Sequence, residues 1–320
     1  MRILAIDGGG IRGLIPAVVL AEIERRTGRR TAELFDLIAG TSTGGILACG
    51  LTRPAADGRG PAFRAADLIG LYESEGPEIF HRSLVKRITS AGGYIDERYD
   101  DAGLNAALRR YLGATRLSET LADVFITAYE IERRTLFFFR SSRAREDPTQ
   151  DFTLVDAARA TAAAPTYFEP ARVRDVAGAQ SWALVDGGVF ATNPAMVAYA
   201  ELAAAGRGPQ IDLVVSLGTG SHTRRLPFED VRGWGQLEWA RPLIDVVFDG
   251  VADSVDFELE QLLPEGRYVR LQTPLDEASD DLDDASDRNL EALRREGARL
   301  VEARSADLDR IAAALTPAAS

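Results

Sequence analysis

Phe35-Asp-Leu-Ile-Ala-Gly40-Thr-Ser42-Thr-Gly44-Gly45-Ile-Leu-Ala-Cys49 is the stretch on which the reading of the fold turns. Apart from Asp36, residues 35–39 are apolar and of strand length, an apolar helix opens near Ile46, and the turn between them is built of small residues with Ser42 at its apex. Gly40-x-Ser42-x-Gly44 is the pattern of a nucleophile elbow, in which a sharp strand-to-helix turn pushes a hydroxyl out of the fold. The first N–H groups of the following helix, on Thr43, Gly44 and Gly45, favour negative charge beside that hydroxyl. The same pattern also occurs in turns without chemistry, so its meaning depends on what the rest of the chain brings to it.

The chain opens on a second such junction. A buried strand over residues 3–6 ends in Asp7-Gly8-Gly9-Gly10-Ile11-Arg12-Gly13 and passes into a helix carrying Leu14, Ile15, Val18, Val19, Leu20 and Ile23. Strand, glycines and helix together make an anion cradle. Gly8-x-Gly10-x-x-Gly13 also fits a dinucleotide fingerprint, but that fold needs a carboxylate at the end of the second strand. Ala39-Gly40-Thr41-Ser42 stands there instead, and Glu33 and Asp36 precede or begin the strand. The alternative is an oxyanion hole. If the first two strands are parallel neighbours, both turns reach one carboxyl edge, and amides unshielded by side chains can close on the alkoxide of an acyl intermediate.

Further along, residues 52–60 read as a loop, and helical periodicity returns at 65–72 and 104–112, with an irregular segment at 76–99 holding His81, Lys86 and Arg87. Residues 124–129 and 135–139 read as a β-pair, with Phe137, Phe138 and Phe139 as core. An Ala-rich helix is expected over 153–163. A strand from Trp182 then ends in Asp186-Gly187-Gly188, which puts the Asp186 carboxylate where strand becomes loop, and Asn193-Pro194 follow. Strands are expected at 211–217 and 268–271, and amphipathic helix at 234–263. Asp280, Asp281, Asp283 and Asp284 lack the EF-hand's glycine and glutamate spacing, so residues 276–287 read as a solvated approach to a helix from about Asn289.

With 320 residues, 46% hydrophobic and 27% charged, the chain has the composition of a folded globular protein, read as a single domain over 1–320 whose catalytic core spans 3–197. A formal net charge of −12 disfavours nucleic acid and gives no general attraction to anionic membrane. The basic clusters Arg25, Arg26, Arg29, Arg30 and Arg133, Arg134, Arg140, Arg143, Arg145 read as solvated surface. The lone Cys49 excludes an intramolecular disulfide, and the opening strand does not read as a signal peptide. No apolar run reaches the ~20 residues of a membrane span, so a cytosolic location is expected, with peripheral membrane contact through residues 234–248 compatible with it.

Two bases could serve Ser42. Ser42, Asp186 and His222 follow the chain order of an α/β-hydrolase triad, although only one strand precedes the elbow and nearly a hundred residues follow His222. Alternatively Asp186 takes the proton directly, which demands burial, alignment and oxyanion stabilisation, because an aspartate with a pKa of about 3.9 is a weak base. Esters would suit such a pair, their leaving alkoxide needing less help than an amine.

Asp7-Gly-Gly-Gly-Ile-Arg-Gly13, Gly40-Thr-Ser-Thr-Gly44 and Asp186-Gly-Gly188, in this order, resemble the three signatures of the patatin-like phospholipase family. The likeness extends to Glu75-Gly-Pro-Glu-Ile-Phe80, Ala163-Ala-Pro-Thr-Tyr-Phe168, Asn193-Pro194, Ser216-Leu-Gly-Thr-Gly220 and Leu282-Asp-Asp-Ala-Ser286. It implies a three-layer α/β/α sandwich on a mostly parallel sheet and hydrolysis of lipid acyl esters without metal or organic cofactor. It further implies Ser42 as nucleophile, Asp186 as base, and the N–H groups around Gly8, Gly9, Gly10 and Ile11 as oxyanion hole. Asp7, Arg12, Gly13, Gly40, Gly44, Gly187 and Gly188 support the motifs. The family includes bacterial effectors switched on by cyclic nucleotides, a regulation that no residue here decides.

Overall fold

The computed structural model describes residues 1–80, 99–221, 225–239 and 242–316. His81, Lys86, Arg87 and His222 lie outside them. Eight strands among the described residues form one sheet: β1 (Arg2–Ile6), β2 (Leu37–Gly40), β3 (Asp123–Glu130), β4 (Thr135–Arg140), β5 (Ala171–Arg174), β6 (Ser181–Asp186), β7 (Leu213–Leu217) and β8 (Tyr268–Leu271). Their order is β5-β6-β3-β2-β1-β7-β8, with β4 paired to β3. β1 is parallel to both β2 and β7, β2 to β3, and β7 to β8, while β4, β5 and β6 enter antiparallel.

The central strands are apolar without interruption because both faces are covered. On one face Leu4, Ile6, Ile38, Ile126 and Leu217 join a core built with helices Leu14–Thr27, Thr43–Thr52, Ala65–Ile79, Asp101–Leu112, Leu154–Thr161, Asp287–Ala303 and Ser305–Leu315. On the other face Ile3, Ala5, Leu37, Ala39 and Val214 pack on helices Ala195–Ala204 and Pro242–Leu262. Alternate residues of β1 thus serve opposite layers, which gives the expected α/β/α sandwich.

Registers explain how the two acid–serine turns meet. β3 pairs with β4 along residues 125–130, which uses one edge of the strand. Its other edge carries β2 up to Gly40↔Ile126 and β6 from Asp186↔Ala128 onward. β2 runs parallel to β3 and β6 antiparallel, so their C-terminal ends point at each other across Thr127, two residues or roughly 7 Å apart.

Three expectations need correction. The helix of residues 65–72 runs on to Ile79 through Pro77, replacing the start of the irregular segment. Burial of Leu71, Tyr72, Gly76 and Ile79 outweighs the backbone bond that Pro77 removes, and a Cβ at Gly76 would stand 2.6 Å from Ile11 Cδ1. The acidic run 276–287 is not merely solvated. Leu282 O accepts the Ile11 N–H at 2.9 Å, and the buried Asp283 accepts from Tyr99 Oη at 2.5 Å, although Ser286 does cap the next helix. Nor is the basic surface simply solvated: Arg26 is packed among Glu22, Asp309 and the Ser305 carbonyl, and Arg140 lies over the Phe138 ring. Among the described residues no acidic, histidine or cysteine group could hold a metal, and no helix is long and apolar enough to cross a membrane.

Candidate active site

Ser42 sits at φ 53°, ψ −123°, a conformation that costs a non-glycine residue of order 1–3 kcal/mol and persists only where its surroundings enforce it. Here the enforcement comes from neighbouring elements of the fold. The Thr41 N–H donates to Ile6 O at 3.2 Å, and the Ser42 N–H donates to Thr161 Oγ1 at 2.8 Å. Thr41 Oγ1 donates to Ala191 O at 2.6 Å and accepts from Thr127 Oγ1 at 2.7 Å. At Gly44 any side chain would collide with the first strand, since its Cβ would lie 2.1 Å from Ile6 O. Gly40 abuts Gly44 O, and Gly13 abuts Thr43 Oγ1 and Tyr72 Oη, just as closely. The helix N–H groups behave differently from the expectation: Gly44 and Gly45 donate back to Thr41 O and Ser42 O, leaving that of Thr43 without an acceptor among the described residues.

Asp186 ends β6 and is buried. One carboxylate oxygen, Oδ1, accepts the Gly188 N–H at 2.7 Å. The other, Oδ2, is buried with no partner of ordinary hydrogen-bond geometry, and Ser42 is the hydroxyl beside the carboxylate. Burial pushes the Asp186 carboxyl up to about 7, against the downward pull of the Gly188 N–H and of Ser42. Such a group exchanges a proton readily near neutral pH. Gly187 lies against Thr127, where a Cβ would stand 2.1 Å from Oγ1, so the gap between β2 and β6 is filled without holding them apart.

The glycine loop is held by residues far away in sequence. Gly8 N–H donates to Thr192 O at 3.0 Å, and Thr219 Oγ1 donates to Gly8 O at 2.7 Å while packing under Gly9. Gly10 has φ 57° and its Cβ position is taken by Leu282 O, at 2.2 Å. The four amides expected to act together are therefore not alike. Gly8 and Ile11 spend their N–H groups on Thr192 O and Leu282 O, whereas those of Gly9 and Gly10 have no acceptor among the described residues and line the cleft that holds Ser42 and Asp186. Arg12 is buried, with Nε directed at Gly9 O (3.3 Å) and Nη1 at Asp280 O (3.4 Å); burial lowers its pKa, and Asp249, Asp245 and Asp280 oppose that.

Behind the loop, Asp7 forms a buried two-pronged pair with Arg270 of β8, at 2.6 and 2.9 Å, and Arg270 Nη1 also donates to Ser216 Oγ at 2.8 Å. Burial works against the Arg270 charge, but the Asp7 carboxylate outweighs it and holds the guanidinium protonated. Arg270 escaped the sequence reading. The signal was present: a carboxylate at the end of a buried strand needs a cation, and 268–271 is a strand bearing one.

The cleft opens to solvent and is lined by Gly9, Gly10, Ser42 and Asp186 together with the apolar side chains of Ile46, Leu71, Ile79, Leu104, Phe168 and Phe248. Apolar walls with a few convergent polar groups are the make-up of a small-molecule site.

Residues 4–199 match the family model described as patatin-like phospholipase. The chain is 37% identical to Patatin-like protein 2 of Arabidopsis thaliana, over 94% of this chain and 83% of that protein. It is 33% identical to Patatin-like protein 1 of Oryza sativa subsp. indica, over 95% and 82%. It is also 31% identical to a potato (Solanum tuberosum) protein described as probable inactive patatin-3-Kuras 1, over 94% and 86%. Similarity at this level therefore leaves turnover to be argued from the site.

Proposed function

This chain belongs to the patatin-like phospholipase family, and we propose that, like the lipid acyl hydrolases of that family, it is a serine hydrolase releasing fatty acids from lipid acyl esters. In this reading Ser42 Oγ attacks the ester carbonyl while Asp186 Oδ2 takes its proton. The developing oxyanion is received by the Gly9 and Gly10 N–H groups. Asp186, now neutral, returns the proton to the leaving alcohol; it then draws one from the water that attacks the acyl-serine and passes it to Ser42 Oγ as the acyl–oxygen bond breaks, which releases the fatty acid and restores the hydroxyl and the carboxylate. The apolar cleft holds the acyl chain. The observation that carries the proposal is the buried Asp186 oxygen without a partner beside a strained serine, in a cleft that also presents two unused amides.

The pKa of about 7 bears on the rate. The carboxylate is the active form, so turnover should rise with pH through about 7 and then level. The test is labelling by a fluorophosphonate probe together with hydrolysis of p-nitrophenyl butyrate. Wild type is expected to label and turn over, whereas Ser42→Ala should do neither while its circular dichroism stays native. Turnover by the folded Ser42→Ala protein would end the proposal.

A further inference from the structure

Helix Pro242–Leu262 changes character along its length. In its second half Ala252, Val255 and Leu259 are buried and Asp253, Glu258 and Glu260 face solvent, as do the apolar Phe257 and Leu262 away from the cleft. In its first half the sense is reversed. Leu243, Val246 and Val247 are 51%, 46% and 39% exposed, while Asp245 and Asp249 are half-buried and are the carboxylates nearest in effect to the buried Arg12 guanidinium. The reversal follows from Arg12. A buried cation needs carboxylates, and carboxylates four apart on an α-helix leave residues 243, 247 and 250 on the opposite side, with 246 on the flank.

This outward apolar face continues into the cleft. Phe248, next to Val247, is a wall of the space containing Ser42 and Asp186, and it packs on Gly188, two residues after Asp186. The preceding short helix Gln236–Trp239 adjoins it, with Trp234 and Trp239 in edge contact, ring centroids 5.2 Å apart. The long helix carries six carboxylates and no lysine or arginine. Its electrostatics therefore oppose an anionic surface, and its attraction is apolar.

We propose that the outward face formed by Leu243, Val246 and Val247 docks on the surface of uncharged or zwitterionic lipid, setting the cleft mouth against the substrate layer. This rests on the acyl-ester reading above, because it is the insolubility of that substrate that gives the face its occupant. The test is co-sedimentation with phosphatidylcholine vesicles, with and without phosphatidylglycerol, alongside p-nitrophenyl butyrate hydrolysis in solution. Wild type should sediment with phosphatidylcholine and less so as phosphatidylglycerol is added. Val246→Ser/Val247→Ser should lose about tenfold or more in vesicle affinity while the soluble ester is hydrolysed at the wild-type rate, which also certifies its fold. Ser42→Ala should sediment like wild type. The proposal is overturned if wild type ignores phosphatidylcholine, if it requires the anionic lipid, if the double variant sediments unchanged, or if the face instead holds a dimer that the double variant dissolves. Turnover by Ser42→Ala would sink the catalytic reading alone, since sedimentation is scored without it.

Discussion

The turns after β1 and β2 stand side by side, with Ile6 paired to Gly40, yet they are held by different parts of the chain. The elbow is enforced from the first two thirds of the chain, by Ile6, Thr127, Thr161 and Ala191. Its serine is strained by the helix that follows at once, and Gly44 sits against Ile6 O because the neighbouring strand leaves no room. The glycine loop, with two amides left unused, is tied down by Thr192, Thr219, Leu282 and, through Asp7, Arg270, 263 residues away. The nucleophile thus depends on partners that precede residue 192, whereas the amides that would receive the oxyanion depend also on the C-terminal third of the chain. Losing one such donor costs catalysis about 2.7–4 kcal/mol, so that dependence bears directly on rate.

The comparison can be broken hardest at Arg270. Arg270→Met strands the buried Asp7 carboxylate and should cost about 3–5 kcal/mol in urea unfolding, with a further loss in kcat as the loop loosens. Asp7→Asn added to it should recover part of the stability; if the single variant is as stable as wild type, the loop is not held from β8. The elbow is probed by Gly44→Ala, whose methyl meets the backbone at Ile6 O. An overpacking cost of about 1–3 kcal/mol is expected by thermal unfolding, with loss of fluorophosphonate labelling because Ser42 is displaced. Retained labelling would show that the elbow tolerates what the geometry forbids.

The smallest effect sharpens the point where the two turns meet the acid. The raised pKa of Asp186 means that the folded protein binds its proton more tightly than the unfolded chain does between about pH 4 and 7. Wild type therefore loses stability as pH rises across that window, and Asp186→Asn, which does not titrate, does not share the loss. Relative to wild type the variant should gain about 1.4 kcal/mol between pH 6 and pH 8, levelling above. A flat difference would mean that the carboxylate is solvated in the folded protein.

Much of the fold was legible because each central strand is a short apolar run bounded by turn residues, and the periodic helices cover it. The β3/β4 pair, β7, β8 and the elbow were found from neighbours in sequence alone. The reading failed where tertiary contacts decide the outcome: at Pro77, which packing carries inside a helix; in the acidic run, where the Leu282 carbonyl meets the glycine loop and Asp283 is buried against Tyr99; and at Arg270, an unremarked cation in an edge strand.

Taken by itself, the sequence determined that a serine would stand on a tight strand-to-helix turn, that glycines would end the first strand, and that an aspartate would end a later one. Each of these follows from sterics and backbone freedom within a few residues. Only the tertiary structure decided that β2 and β6 run at each other along one edge of β3, bringing Asp186 beside Ser42, and that Gly9 and Gly10 keep unused amides while Gly8 and Ile11 do not. The reason is that strand register and hydrogen-bond partner are settled by segments more than a hundred residues apart, whose pairing depends on burying both faces of the sheet together.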